Sequence, residues 1–93
     1  MDTVAARKVL NAWLGKLRAV PYRELAARVD SVTNDEVARD SERSWQLEVE
    51  VLWDDEPSGN VRVTASIDDG GLRAFVPVTD GFVKAPSGEF VVK

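Results

Sequence analysis

Few residues in this chain could do chemistry, because it contains no histidine and no cysteine. Their absence removes imidazole bases, thiolate nucleophiles, disulfides and zinc knuckles. What remains is two groups of neighbouring carboxylates, Asp54-Asp55-Glu56 and Asp68-Asp69. Such groups can hold a hard cation such as Mg²⁺ or Ca²⁺. Aspartate is also common in tight turns, and neither group has the alternating spacing of a calcium loop, so turn formation is the favoured interpretation.

Hydroxyl and charged side chains share the polar face of the predicted strands. Ser66 falls between Glu48 and Arg73, and Thr64 falls beside Glu50. A serine nucleophile needs a base within hydrogen-bond reach and an oxyanion hole, and a solvated sheet face supplies neither. Cross-strand charge pairing, at about 0.2–1 kcal/mol per pair, is the favoured interpretation. We therefore predict that the protein is not an enzyme, with no catalytic residue, no cofactor and no metal ligand.

Apolar side chains interrupt the same polar face at one corner of the predicted sheet. The predicted corner patch consists of Leu52, Arg62, Phe75 and Pro77. The favoured interpretation is that the C-terminal segment, residues 82–92, folds over this corner and covers it. The alternative, which motivates the functional prediction below, is a surface for a protein partner, because exposed apolar patches rimmed by charge often mark such surfaces.

The three tryptophans, Trp13, Trp45 and Trp53, all fall on predicted inward faces. Core packing is the favoured interpretation of all three. The alternative is that they line a cleft between the first helix and the sheet, near Trp45 or Trp53, in which a small ligand binds.

Composition limits the class of protein. The chain has 93 residues, 44% of them hydrophobic, which is typical of one globular domain over residues 1–93. The net charge is −4, but residues 1–23 carry five basic and one acidic side chain while the other 70 residues carry seven basic and fifteen acidic. One basic segment on an acidic protein favours a solvated helix face, with a membrane-surface or acidic-partner helix as the alternative. We predict no nucleic-acid partner.

No apolar stretch approaches the roughly 20 residues that a membrane-spanning helix needs. Charged residues such as Arg7, Lys8 and Lys16 interrupt the N-terminal segment, which therefore lacks the apolar region of a secretory signal. The sequence predicts a cytoplasmic protein without a membrane partner.

Two helices are predicted at the N-terminus. Apolar residues recur at helical spacing from Ala6 to Val20, which predicts a helix over about residues 3–20. Pro21 disfavours helical geometry at the preceding residue and suits a first helical turn. A second helix is therefore predicted over about residues 21–29.

Strict alternation of apolar and polar residues predicts three strands, at about 45–53, 61–68 and 71–78. The first pair aligns its apolar residues when Trp53 faces Val61. The three strands then form an antiparallel meander with one apolar face, and the first helix is long enough to cover it.

The second hairpin has a strong turn signal. Asp69-Gly70 predicts a two-residue type I′ loop. That loop sets Ile67 opposite Leu72 and Val61 opposite Val78, so that inward residues face inward residues.

The rest of the chain gives weaker signals. Residues 30–43 are polar and have poor periodicity, and we predict a short edge strand at about 36–40. Residues 82–92 contain two turn signals and are predicted to form a small terminal hairpin.

Several runs along the chain carry a resemblance. They include Trp53-Asp54-Asp55, Ser66-Ile67-Asp68-Asp69-Gly70-Gly71 and Arg73-Ala74-Phe75-Val76-Pro77. Over about residues 45–91 the chain resembles a family of short bacterial proteins of unknown function. The resemblance implies a bacterial source and a helix-on-sheet fold, and it carries over no catalytic residue. By arrangement, a helix on a meander is also similar to cystatin-like folds, which implies no function.

The sequence therefore predicts an α+β domain. Two N-terminal helices pack on one face of an antiparallel β-meander in a cystatin-like arrangement, and a short C-terminal hairpin follows. The predicted function is that of a non-catalytic bacterial interaction or regulatory domain. The alternative is a protein that binds a small ligand or a divalent cation through a helix–sheet cleft or the carboxylate turns. A third hypothesis is a homo-oligomer built through an unprotected strand edge.

Overall fold

The computed structural model describes residues 3–38, 44–68 and 78–92. Two helices precede five strands along the chain. These elements are α1 (Thr3–Arg18), α2 (Tyr22–Ala27), β1 (Ser31–Ala38), β2 (Ser44–Trp53), β3 (Val61–Asp68), β4 (Val78–Lys84) and β5 (Phe90–Val91). The strands form one antiparallel sheet in the order β1-β2-β3-β4-β5. The predicted α+β class is confirmed, and so are two helices separated at Pro21.

The core lies between the helices and one face of the sheet. Ala6, Leu10 and Leu14 of α1 are fully buried, as is Leu25 of α2. The buried residues of β2 and β3 are all at odd-numbered positions, and they are Trp45, Leu47, Val49, Val51, Val61, Val63, Ala65 and Ile67. Glu48 is exposed between them. The alternation therefore predicted the inward face of these two strands.

The register of β2 against β3 agrees with the prediction position for position. Trp53 faces Val61, and Leu47 faces Ile67. The turn between them is closed by the amide of Asp54, which donates to the carbonyl of Asn60 at 2.8 Å.

The predicted partner of β3 is wrong. Val61 faces Lys84 rather than Val78, and Ile67 faces Val78 rather than Leu72. Residues 69–77, which include the predicted type I′ loop and all but the last residue of the predicted strand 71–78, lie outside the described residues.

The alternation of apolar residues did not predict β4 because this strand places polar side chains at inward positions. Its inward residues are Val78, Asp80, Phe82 and Lys84, which face the inward residues of β3. Both polar side chains have partners on α1 or just after it. A search for apolar alternation cannot recognise a strand whose inward polar groups find partners in the tertiary structure.

The first edge strand is longer than predicted. β1 covers Ser31–Ala38 instead of residues 36–40, and all eight of its residues are aligned with β2. Six of the eight are exposed, so the strand has no apolar periodicity to read. At the other edge, β5 pairs with β4 through Val83–Val91 and Lys84–Phe90, which confirms the terminal hairpin.

Gly81 allows β4 to approach the β3 backbone closely. A Cβ at this position would lie 2.2 Å from the carbonyl oxygen of Val63. Beside it, the Asp80 carboxylate accepts a hydrogen bond from the Gly81 amide at 2.8 Å. Because the obstacle is backbone, no side-chain rotation can make room for a methyl group.

We expect Gly81→Ala to lower the free energy of unfolding by about 1–3 kcal/mol, the usual cost of inserting a methyl group into a packed site. The control is Gly15→Ala, whose new Cβ meets nothing within 4 Å. Alanine in a helix interior is favoured over glycine by up to about 1 kcal/mol, so this control should be more stable than the natural chain. Urea unfolding measures both, and equal effects of the two substitutions would contradict the close approach at Gly81.

Candidate functional site

An open groove runs between α1 and the sheet edge. α1 makes its main sheet contacts with β3 and β4, so neither of the two described helices covers the inner side of β1. The groove encloses about 500 Å³. Its lining residues are Trp13, Leu17, Arg28, Ser31, Thr33, Asn34, Asp35, Val49 and Val51. We call this feature the helix–sheet groove.

The helix–sheet groove has an apolar floor and one polar wall. Val49 and Val51 of β2 form the floor, and Trp13 of α1 forms part of the opposite wall. On the β1 side, Thr33 faces Val49 and Ser31 faces Val51, so both point to the inner side of the sheet. An apolar surface with a few polar groups at its border is typical of binding sites.

β1 also presents a long unpaired edge. In the described part of the chain it is paired on one side only, with β2. In an antiparallel ladder, every second residue of such a strand directs its N–H and C=O away from the neighbour. Edge strands are usually protected by charged side chains, proline or bulges; β1 contains neither lysine nor proline, and its only charged residues are Asp35 and Glu36. Val32 is 49% exposed on the other face of the same strand.

Lys84 holds the C-terminal end of α1 and with it the helical wall of the groove. The side chain is only 7% exposed, and its Nζ donates to the carbonyl oxygens of Arg18 and Val20, each at 2.9 Å. The last carbonyls of a helix have no intrahelical donor and carry partial negative charge, so a cation there is favourable. At the other end of α1, Arg7 and Asp80 form a half-exposed ion pair at 3.8 Å, which contributes little.

The predicted corner patch is only partly described. Leu52 and Arg62 face each other across β2 and β3, as predicted. Val83 of β4 is the residue beside Arg62, in the place expected for Pro77. Phe75 and Pro77 lie outside the described residues, so the patch as a whole stays a prediction.

The guanidinium of Arg62 is already engaged. Its Nη2 donates to Oδ1 of Asp54 at 2.7 Å and its Nε donates to the same oxygen at 3.1 Å. A neighbouring cavity of about 360 Å³ is bordered by Arg62 and by Val91 of β5, so the C-terminal strand reaches this corner.

The two carboxylate groups lie at opposite ends of the β2–β3 hairpin. Asp68 faces Gln46, and Asp54 lies eight residue steps from Gln46, or about 26 Å along the strand direction. Within residues 3–38, 44–68 and 78–92, no three ligating side chains come together in a way that could hold a metal ion.

The predicted hydroxyl row is also changed by the register of β4. Ser66 lies beside Thr79 rather than Arg73, and their side-chain oxygens are 3.0 Å apart. Arg73 itself is outside the described residues. The hydrogen bond links two hydroxyl groups and supplies Ser66 with no general base.

The sequence did not predict the position of the helix–sheet groove. The alternative interpretation of the tryptophans placed a cleft near Trp45 or Trp53, but Trp45 is 3% exposed in the core, as the favoured interpretation predicts, and the groove is bordered by Trp13. The signal that could have found it is the run Ser31–Ala38, which has no glycine or proline and carries polar residues at inward positions.

We expect Lys84→Met to lower the free energy of unfolding by about 1.5–3 kcal/mol, because the carbonyl oxygens of Arg18 and Val20 lose their hydrogen bonds from a charged donor. Methionine keeps much of the apolar stem. The control is Lys8→Met, at an exposed position of α1, which should change the free energy of unfolding by less than about 0.5 kcal/mol. Equal stability of the two variants in urea would show that Lys84 does not hold α1.

Comparison with family models, with curated proteins and with solved structures finds no match to this chain. The resemblance to a family of short bacterial proteins therefore stays a prediction. Among the described residues, no helix is both long and apolar enough to cross a membrane.

Proposed function

We propose that this chain is a non-catalytic interaction domain of the bacterial cytoplasm that binds an extended segment of a partner protein along β1. The observation that carries the proposal is an eight-residue edge strand, paired on one side only in the described structure, next to an open groove. An extended peptide can add to such an edge by main-chain hydrogen bonds.

The helix–sheet groove supports this function because it offers a place for side chains of the added strand. Alternate side chains of that strand point to the inner side of the sheet, next to Ser31 and Thr33. The small side chains of these two residues leave the groove open from the edge, where Trp13 and Leu17 of α1 are only partly buried. In strand addition the main chain supplies affinity and pockets for alternate side chains supply specificity.

Two further considerations enter the proposal. The chain has no histidine and no cysteine, which favours binding over catalysis. The helix across an antiparallel sheet is similar in shape to cystatin-like folds, and we propose that arrangement without any function attached to it. The corner patch of Leu52, Arg62, Phe75 and Pro77 is a weaker candidate for the partner surface than β1, because the guanidinium of Arg62 is already paired with Asp54.

Two pools of extended, capped peptides test the proposal, one alternating valine with lysine and the other alternating valine with glutamate. We expect members of at least one pool to bind, and the largest amide shift changes in an NMR titration to fall within β1. No binding from either pool, or shift changes concentrated in β5, would contradict strand addition at β1.

The groove is tested by blocking it. Thr33→Trp fills the helix–sheet groove from an exposed position that tolerates an aromatic residue in a strand. We expect it to weaken peptide binding by at least about tenfold, or 1.4 kcal/mol. Val32→Trp is the matched control, because it places the same side chain on the opposite face of β1. If both variants bind as the natural chain does, the groove has no part in recognition.

A small ligand in the helix–sheet groove is the second candidate function. Its volume of about 500 Å³ lies within the usual range for ligand sites, and Trp13 offers an aromatic surface. A ligand that binds the native state at 100 times its Kd stabilises it by about 2.7 kcal/mol. In a thermal-shift screen of metabolites and divalent cations, we expect a hit to lose its shift in Thr33→Trp but to keep it in Val32→Trp. A hit unaffected by Thr33→Trp would place the ligand elsewhere.

A further inference from the structure

The half of the sheet that carries the free edge is acidic. The described strands β1 and β2 contain Asp35, Glu36, Glu48 and Glu50 and no basic residue. The connection between them, residues 39–43, adds two basic and two acidic residues and so leaves the net charge of this region unchanged. The basic residues near the groove belong to the helices and to the turn that follows α2, such as Lys16 and Arg28.

Three of these carboxylates lie on the outer face of the sheet. Glu48 faces Asn34, Glu50 faces Val32, and all four belong to the even-numbered set that points away from the core. Glu36 belongs to the same set and lies on the edge strand itself, where its carboxylate accepts a hydrogen bond from the Ser44 hydroxyl. The fourth carboxylate, Asp35, is on the inner side of the same two strands, where it borders the groove beside its apolar floor.

We propose that the segment bound along β1 is an extended strand with lysine or arginine on one face and apolar side chains on the other. This inference rests on the proposed function and names the chemistry of its partner. The basic side chains lie on the outer face of the sheet, opposite Glu36, Glu48 and Glu50. The apolar side chains enter the helix–sheet groove.

Strand spacing allows these contacts. A strand added to β1 lies about 4.8 Å from it and about 10 Å from β2. A basic side chain on the added strand is therefore a direct cross-strand neighbour of Glu36. The long stems of lysine and arginine carry their charge onward toward Glu48 and Glu50. Each favourable charge pair across strands contributes about 0.2–1 kcal/mol and weakens as salt is added.

The inner side selects apolar residues for a different reason. Thr33 and Ser31 are short, so a side chain from the added strand can extend over them toward Leu17 of α1, which lines the groove and is only partly buried. Trp13 borders this path on the helix side and is itself only partly buried. Apolar contact area removed from water there adds about 25 cal/mol per Å².

The same charges disfavour a second copy of this chain as the occupant. Pairing β1 with β1 of another molecule brings the Asp35 and Glu36 carboxylates of both copies to one shared edge. Like charges across strands are destabilising, and inward or edge charges are a common defence against such pairing.

The test compares two capped peptides of about seven residues, one alternating lysine with valine and one alternating glutamate with valine. In isothermal titration at low salt we expect the lysine peptide to bind at least about tenfold more tightly, with the difference shrinking as salt is raised. Glu36→Lys should reduce that preference at least about fivefold. Glu89→Lys makes the same change in net charge beside β5, at the opposite edge of the sheet, and should reduce it less than about twofold.

The outcomes separate this inference from the proposed function. Equal binding of both peptides, tighter binding of the glutamate peptide, or equal effects of Glu36→Lys and Glu89→Lys would overturn the inference and leave strand addition standing. If neither peptide binds, the proposed function fails together with the inference. Sedimentation at two concentrations completes the test, because a dimer that Glu36→Lys strengthens would identify a second copy as the occupant.

Discussion

The position of α1 on the sheet is the constraint on which the rest of the structure depends. The helix buries a stripe of Ala6, Leu10 and Leu14, and its main sheet contacts are with β3, the central strand, and β4 rather than with β1. Lys84 fixes the end of the helix by donating to the carbonyls of Arg18 and Val20. Because the helix lies toward one side, β1 is left as an uncovered edge and the space beside it becomes a groove.

A buried polar residue of β4, Lys84, holds α1 in this position. Lys84 is almost fully buried, and burial of a charged group is costly unless it is well hydrogen-bonded. Two helix-end carbonyls provide those bonds and are themselves satisfied by them. The ring of Phe90 adds to this site, since Nζ of Lys84 lies 5.3 Å from its centroid. The polar residues of β4 and the helix above it therefore stabilise each other.

Sequence patterns predicted the parts of the fold that are built from apolar alternation. The spacing of buried residues predicted α1 and the register of Trp53 against Val61, and the backbone preference of Pro21 predicted where α2 begins; all three are confirmed. The partner of β3 was predicted wrongly because Asp80 and Lys84 become favourable inward residues only when α1 is in place. β1 was predicted too short because an exposed edge strand is held by its backbone pairing and not by its side chains.

The candidate site was also not predicted, because it depends on tertiary contacts and not on the alternation of apolar residues. A groove arises from where a helix ends and which strands it covers, and the residues that line it are ordinary core and edge residues. The carboxylate turns and the hydroxyl row were candidate sites only because carboxylates can bind cations and hydroxyl groups can act as nucleophiles. The register then separated Asp54 from Asp68 and placed Ser66 beside Thr79.

The free edge of β1 is the central claim, and native-state hydrogen exchange tests it most directly. If β1 is paired on one side only, every second amide in Ser31–Ala38 should exchange quickly while its neighbours, bonded to β2, exchange slowly. Slow exchange at every amide of β1 in the isolated chain would contradict the account, because it would mean that the edge is already paired.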